Sequence, residues 1–293
     1  MLNRLALVTA ASTVLLLFAG GLVTTTNSGD AVPDWWFAPI SFGTLLPEMK
    51  GGVLYEHGHR LVATVVGVLT IVMAVALWRR DPRPWLRTLG WLALGAVCAQ
   101  GILGGARVLK LASPAALAII HASFAQVFFA MIVAIATATS RTWETDRPDP
   151  EPSGVPKLAL WTAGACYLQI VLGAWRRHTG KLIHVHLLVA TVLLVLILVL
   201  AAECLKRGRF RRTVSTLAAL ILAQLVLGAW TWALMASGFA RSHLSSKPEI
   251  LVITAHLALG GLIWGLLVSV AVRSRRVWPA SRPSAPSAEG LPA

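Results

Sequence analysis

Charged side chains are scarce in this chain, and acidic ones scarcer still. Asp, Glu, Lys and Arg make up 13% of its 293 residues, with 12 carboxylates against 26 Lys and Arg. A soluble domain carries about 25% charged residues, so a soluble globular fold is excluded. Cysteine is almost absent. Cys98, Cys166 and Cys204 lie inside apolar stretches, away from any loop and from any C-x-x-C spacing. That pattern argues against a disulfide framework or a zinc site and leaves them as small buried apolar residues. The first apolar run also lacks a small-x-small cleavage site at its end, so it is expected to remain as a membrane helix.

What the chain has instead is apolar surface: 56% of its residues are hydrophobic and the mean hydropathy is +0.71. Stretches of spanning length, about 20 residues each, fall near 5–23, 53–78, 86–107, 114–139, 157–175, 182–204, 213–236 and 249–272. An all-α integral membrane protein with eight transmembrane helices is expected, surrounded by the lipid of a cell's inner (plasma) membrane. The net charge of +14 would suit nucleic acid, but its distribution argues for topology. When loops are assigned alternately, one side holds Arg79, Arg80, Arg83, Arg87, Arg141, Arg147, Lys157, the cluster from Lys206 to Arg212, and Arg273, Arg275 and Arg276. The other holds Lys50, Arg107, Lys110, Arg176, Arg177, Lys181, Arg241 and Lys247. The richer side is cytoplasmic by the positive-inside rule, which puts both termini there and removes the case for nucleic acid.

The chain repeats itself. His57 to Val65 and His184 to Val192 share the pattern His-x-His-x-Leu-Val-Ala-Thr-Val in the second and sixth runs. Ala99-Gln100 to Gly104 matches Ala223-Gln224 to Gly228 in the third and seventh, and the fifth carries a related Gln169 to Gly173. In the fourth and eighth runs a loop proline, Pro114 or Pro248, precedes His121 or His256. A four-helix unit written twice has an even number of crossings, so its copies are parallel repeats. The expected layout is a four-helix bundle over 1–140, a Pro-, Asp- and Glu-rich cytoplasmic linker over 141–156, a second bundle over 157–273 and a disordered cytoplasmic tail over 274–293. Glycines in these runs, Gly104, Gly261 and Gly265 among them, permit close helix approach.

Ionisable groups inside a membrane-length run are costly and mark a functional site by default. Glu56-His57-Gly58-His59-Arg60 opens the second run, and all the histidines fall toward the outer side. At about 1.5 Å rise per residue, His59, His121, His186 and His256 lie at one depth, roughly 9–12 Å below the outer surface. One imidazole from each of two facing helices at matched depth is the arrangement that holds an iron porphyrin edge-on within a bundle. The bland alternative is a buried histidine bonded to a neighbouring carbonyl. His57 and His59 diverge by about 200° on a helix, as do His184 and His186, so only one of each pair faces a given iron. His59 and His186 are taken as ligands, and His57 and His184 as their neighbours.

Glu56 shares a helix face with His59 and with Arg60, whereas the equivalent positions in the sixth run are Ile183 and Leu187. One reactive site plus one redox relay explains this asymmetry. Glu56 then serves as a general base or proton acceptor; the alternative is a carboxylate and guanidinium fixing a helix end. The long first outer loop, about residues 24–52, carries Asn27-Ser28-Gly29 and Pro33-Asp34-Trp35-Trp36-Phe37 and is read as a lid over a site in the second helix.

These residues resemble the haem A synthase family, which oxidises the methyl group of haem O to the formyl group of haem A for terminal oxidases. Glu56, His59 and Arg60 match the family's Glu-x-x-His-Arg. Asn27-Ser28-Gly29 with Pro33-Asp34-Trp35 matches its first loop, and His178-Thr179-Gly180 its fifth-helix end. The resemblance implies substrate haem O between His59 and His121, a haem b cofactor between His186 and His256, and Glu56 acting at the substrate. It also implies propionate pairing by Arg60, Arg107, Arg176 or Arg177. Haem sites toward the outer face, an unidentified redox partner, and haem O synthase and oxidase assembly factors as partners belong to the same expectation. The chain departs from the family in lacking an outer-loop cysteine pair, in Trp36 where the pattern has proline, in the short loop after the fifth helix, and in Leu187 where an arginine commonly follows the histidine. Rival readings are a di-haem b electron-transfer cytochrome and a haem carrier without chemistry.

Overall fold

The computed structural model describes residues 1–34, 40–236 and 247–279. Trp35, Trp36 and Phe37 of the first loop, Arg241 and His243, and residues 280–293 of the tail lie outside the described residues. Among the described residues there are nine helices and no strands: α1 (Leu2–Thr25), α2 (Gly51–Arg80), α3 (Pro84–Val108), α4 (Pro114–Ala138), α5 (Arg141–Thr145), α6 (Val155–Thr179), α7 (Ile183–Lys206), α8 (Arg211–Ala236) and α9 (Lys247–Val277). Eight of them, all but α5, are long and apolar enough to cross a membrane. The chain is a multi-pass membrane protein, as its apolar runs require.

Local chemistry sets the helix ends. Pro84 and Pro114 occupy the first positions of α3 and α4, where a missing N–H costs nothing, and the Ser113 hydroxyl caps α4 by accepting from Ala116 N. Gly180, at φ +74°, stops α6 in the left-handed region and brings α7 back almost at once. Outward faces stay apolar, with Leu92, Ile102, Leu188 and Val226 among the exposed residues, because lipid rather than water is their solvent.

Contacts fall into two sets. Helices α1, α2, α3 and α4 touch in a ring, as do α6, α7, α8 and α9; the sets meet where α1 and α4 contact α9 and α4 contacts α6. Each set has its own packed core, one including Met73, Leu77, Leu86 and Ile132, the other Ile197, Leu200, Leu217 and Leu267. Both cores lie in the half of the bundle that ends at Arg79, Arg80 and Arg211, away from His59, His121, His186 and His256. Between the sets Gly265 abuts Phe129, whose Cε1 would stand 2.8 Å from an added Cβ, so α9 approaches α4 as closely as glycine allows.

The Pro-rich connection is more structured than its composition led us to expect. It forms α5 and is tied down by Asp146, which accepts from Arg273 Nε and Nη2 at 2.9 and 3.1 Å, while Asp149 N donates to Val277 O. Its long-range hydrogen bonds come from α9 and from Arg207 and Arg209 at the α7–α8 turn, partners remote in sequence. Helix α9 also runs to Val277, beyond the expected start of the tail.

The α2–α3 corner is held by buried Asp81, which accepts from Arg83 N, Nε and Nη2 at 3.0, 2.8 and 2.7 Å; Arg83 Nη1 donates to Ala138 O. The Arg83 side-chain hydrogen bonds, outweighing the opposing effect of burial, hold the Asp81 carboxyl below its ordinary value. A depressed pKa contributes stability above the unfolded value and loses it as pH falls through the folded one. Asp81→Asn is therefore expected to cost about 1–2 kcal/mol at neutral pH, measured by thermal unfolding in detergent. The gap to the unmodified protein should close below about pH 4; a gap of unchanged size at pH 3 would count against an ionic origin.

Candidate functional site

Each of the four histidines expected as ligands packs against a glycine on the helix that precedes its own. A Cβ added at Gly20 would lie 3.1 Å from His59 Cε1, at Gly104 3.7 Å from His121 Cε1, at Gly173 3.3 Å from His186 Cε1 and at Gly228 3.0 Å from His256 Cε1. The glycine thus opens a notch into which the imidazole sits against helix backbone. The hairpins α1–α2, α3–α4, α6–α7 and α8–α9 repeat this contact.

The Nδ1 atom of all four rings is buried and has no hydrogen-bond partner. A buried polar atom left without a partner costs about 1–3 kcal/mol; the rings of His59 and His256 approach the backbone carbonyls of Leu16 and Gln224, and it is the repetition at four equivalent places that marks a site. His59 interacts electrostatically with His121, and His256 with His186, which groups them as two pairs. Among the described residues no three His, Cys, Asp or Glu side chains form a metal cage. Two facing imidazoles, each partly exposed, could hold a haem iron between them and are too few donors for a bare metal ion.

The residues beside the first pair fasten the first loop. Glu56, 5% exposed, accepts from Val32 N through Oε2 at 2.8 Å and from Arg60 Nη2 through Oε1 at 2.9 Å. Arg60 also donates to the backbone oxygens of Val32 and Asp34. His57 is fully buried; its Nε2 lies 2.9 Å from Leu45 O and its Nδ1 2.7 Å from Ser41 Oγ. A carbonyl only accepts, so Nε2 carries the proton and Nδ1 accepts from Ser41. Both nitrogens of His57 thus serve the loop. His184, its counterpart in α7, is exposed. The equivalent residues of the two halves therefore differ in role.

The other arginines lie at the same end. Arg107 is close enough to interact electrostatically with His59, His121 and His178 and reaches Gly29 of the first loop, where an added Cβ would meet its Nη2 at 2.7 Å. Arg176 lies within electrostatic range of His186, and its buried Nε has no partner. Arg177 donates to Thr24 O at 3.2 Å, tying α6 to α1 across the two halves.

Sequence reasoning had no role for the glycine notches or for three glutamines on the same helices. Gln100 Nε2 donates to His121 O at 3.1 Å and Gln224 Nε2 to His256 O at 3.0 Å; Gln169 Nε2 lies 3.2 Å from His186 Nε2. The Gln-x-x-x-Gly spacing that aligned these helices was the available signal.

A family model described as cytochrome oxidase assembly protein matches residues 37–185, just over half of the chain, a stretch that holds Glu56, His59, Arg60 and His121. A protein named haem A synthase from Shouchella clausii is 32% identical over 186 residues, covering 61% of this chain and 60% of its own length. One of the same name from Symbiobacterium thermophilum is 32% identical over 191 residues, 61% of each. Another, from Alkalihalophilus pseudofirmus, is 26% identical over 247 residues, 75% of this chain and 82% of its own. The matches to the first two thus span about three-fifths of those relatives.

The notches differ in tightness, and that difference is testable. Gly228→Ala puts a methyl 3.0 Å from the His256 ring, whereas Gly104→Ala puts one at an ordinary 3.7 Å from His121. Haem absorbance per purified chain is expected to fall by roughly half in Gly228→Ala, one of two sites being displaced, and to change little in Gly104→Ala. Equal losses in both variants would remove the notch as the determinant of ring position.

Proposed function

Because the chain belongs to the cytochrome oxidase assembly protein family, we propose that it is an oxidoreductase, a haem A synthase that oxidises the methyl group of haem O to the formyl group of haem A by successive hydroxylation. The observation that carries the reading is the set of four buried, unpartnered imidazole nitrogens in two facing pairs. On this reading His59 and His121 of the first half (residues 1–140) hold substrate haem O, and His186 and His256 of the second (157–273) hold haem b, whose chemistry is to pass electrons. The two halves are parallel repeats in the plasma membrane, with both termini cytoplasmic and the haems toward the outer face.

Glu56 is the group this chain supplies at the substrate. Arg60 pairs with it at 2.9 Å, and a carboxylate at the porphyrin edge would accept the proton that methyl oxidation releases. The same residue secures the loop by accepting from Val32 N. Ile183 and Leu187 occupy the corresponding places in the second half, which therefore lacks a proton acceptor and suits a relay. Arg107 and Arg176, one near each pair, suit the haem propionates.

The test is haem extraction from purified protein co-expressed with a haem O synthase. The unmodified chain is expected to yield haem A or its hydroxylated intermediate beside haem b. Glu56→Gln keeps an oxygen for Val32 N–H but no charge, and should retain haem O unconverted, with conversion down at least a hundredfold. Two haem b per chain in both proteins would replace this reading with the di-haem electron-transfer cytochrome. Conversion undiminished in Glu56→Gln would leave the carboxylate as a loop fastener only.

A further inference from the structure

The first loop contains a tight turn that the proposed reaction does not use. Ser41 N donates to Thr44 O at 2.9 Å and Thr44 N to Ser41 O at 3.0 Å. Phe42 and Gly43 at its tip have φ of +52° and +75°. The left-handed region is uncommon for a phenylalanine and costs energy that the surrounding structure must supply. Phe42 is 53% exposed, and Ile40, Leu45 and Leu46 around it are exposed as well. This apolar group does not project beyond the end of α2. Ser41 Oγ and Leu45 O are both hydrogen-bonded to His57, which lies six residues, ~9 Å, into the helix. The turn is therefore folded back alongside α2. Leu54 shares a helix face with His57 and opens an exposed stripe of Leu54, Val65, Val68 and Val72, spaced about three, four and five turns from it. That stripe is apolar because it faces lipid, and the turn prolongs it.

We propose that residues 40–46 form an interfacial flap whose side chains Ile40, Phe42, Leu45 and Leu46 lie in the bilayer leaflet at the histidine end, so that lipid holds the first loop against α2. The inference rests on the membrane helices and not on the haem reading. A contiguous exposed apolar patch marks a surface that meets membrane or protein, and continuity with the α2 stripe selects lipid. Interfacial segments seat their apolar face about 5–10 Å into the headgroup and acyl boundary. Residues 40–46 carry no ionisable side chain. Their main-chain donors are met within the protein, as a lipid setting demands: besides the Ser41–Thr44 pair, Phe42 N donates to the Asp34 carboxylate and Leu46 N to Thr44 Oγ1. Charge returns directly afterwards at Glu48 and Lys50, whose paired side chains are 74% and 80% exposed. Asp34 also accepts from Arg60 through its carbonyl, so the seating of the flap bears on the segment that Glu56 and Arg60 fasten. The second half has no counterpart, since Gly180 leads almost at once into α7 and His184 is exposed.

The test places an environment-sensitive fluorophore on the full-length protein in phosphatidylcholine nanodiscs. Cys98, Cys166 and Cys204 are replaced by alanine, and Leu46→Cys or Glu48→Cys is labelled with a nitrobenzoxadiazole group. The label at 46 is expected to emit further to the blue than that at 48. Nitroxide carried near the top of the acyl chains should quench it at least threefold more strongly, and aqueous iodide should leave it nearly untouched. Quenching of position 46 by iodide and not by the lipid nitroxide would overturn the proposal, and so would protection from both, which is the signature of a protein partner or a second copy on the patch. A second measurement needs no cysteine replacement. In nanodiscs, Phe42→Ser with Leu46→Ser is expected to raise tryptic cleavage after Lys50 at least tenfold, with the helices beyond it remaining intact. Cleavage at the unmodified rate would overturn the role of lipid in holding the loop. Neither readout involves haem, so failure of the chain to bind haem overturns the functional reading and leaves this inference standing.

Discussion

An imidazole seated against a glycine of the preceding helix is the contact on which the arrangement depends. Between helices in lipid there is little hydrophobic driving force, so close packing of small residues and polar contacts decide which faces meet. The Gly20–His59, Gly104–His121, Gly173–His186 and Gly228–His256 contacts join each hairpin across its two helices. They also fix each ring against its own hairpin without any long-range loop to position it. Bulk at Gly20, Gly173 or Gly228 competes directly with the ring, so there the residue that packs the hairpin also sets the position of the imidazole.

The same hairpin contact has different neighbours in the two halves. In the first, Glu56, His57 and Arg60 are all bonded to residues 32–45, so the charged cluster and the loop stabilise each other. In the second, Ile183 and Leu187 give no such anchorage, Gly180 brings the chain directly from α6 to α7, and His184 is exposed. A carboxylate this buried is tolerable only with both oxygens satisfied, and here a loop N–H and a guanidinium satisfy them. Any proton transfer proposed for Glu56 is consequently tied to the anchorage of the loop.

The eight membrane helices were legible from apolar run length alone, since lipid leaves the backbone no alternative to internal hydrogen bonding. Their ends were nearly as legible at Pro84, Pro114 and Gly180, where one residue type dictates the backbone. The four histidines could be singled out because repetition made their depth comparable. What sequence could not supply was partnership between segments. Nothing in the spacing of His57 tells that both its nitrogens are taken by Ser41 and Leu45, or that Asp146 meets Arg273, because such bonds depend on how remote segments meet. The glutamines were visible as matching letters in three helices, but their meaning depends on what stands across the hairpin.

The two packed cores occupy the end of the molecule opposite the histidines, with Met73, Leu77 and Leu86 in one and Ile197, Leu200 and Leu267 in the other. The side chains that fix how the helices cross the membrane are thus separate from the four histidines. The foundation and the mouth of the molecule can therefore vary independently, and a change of side chain at the histidine end leaves the anchorage beneath it intact.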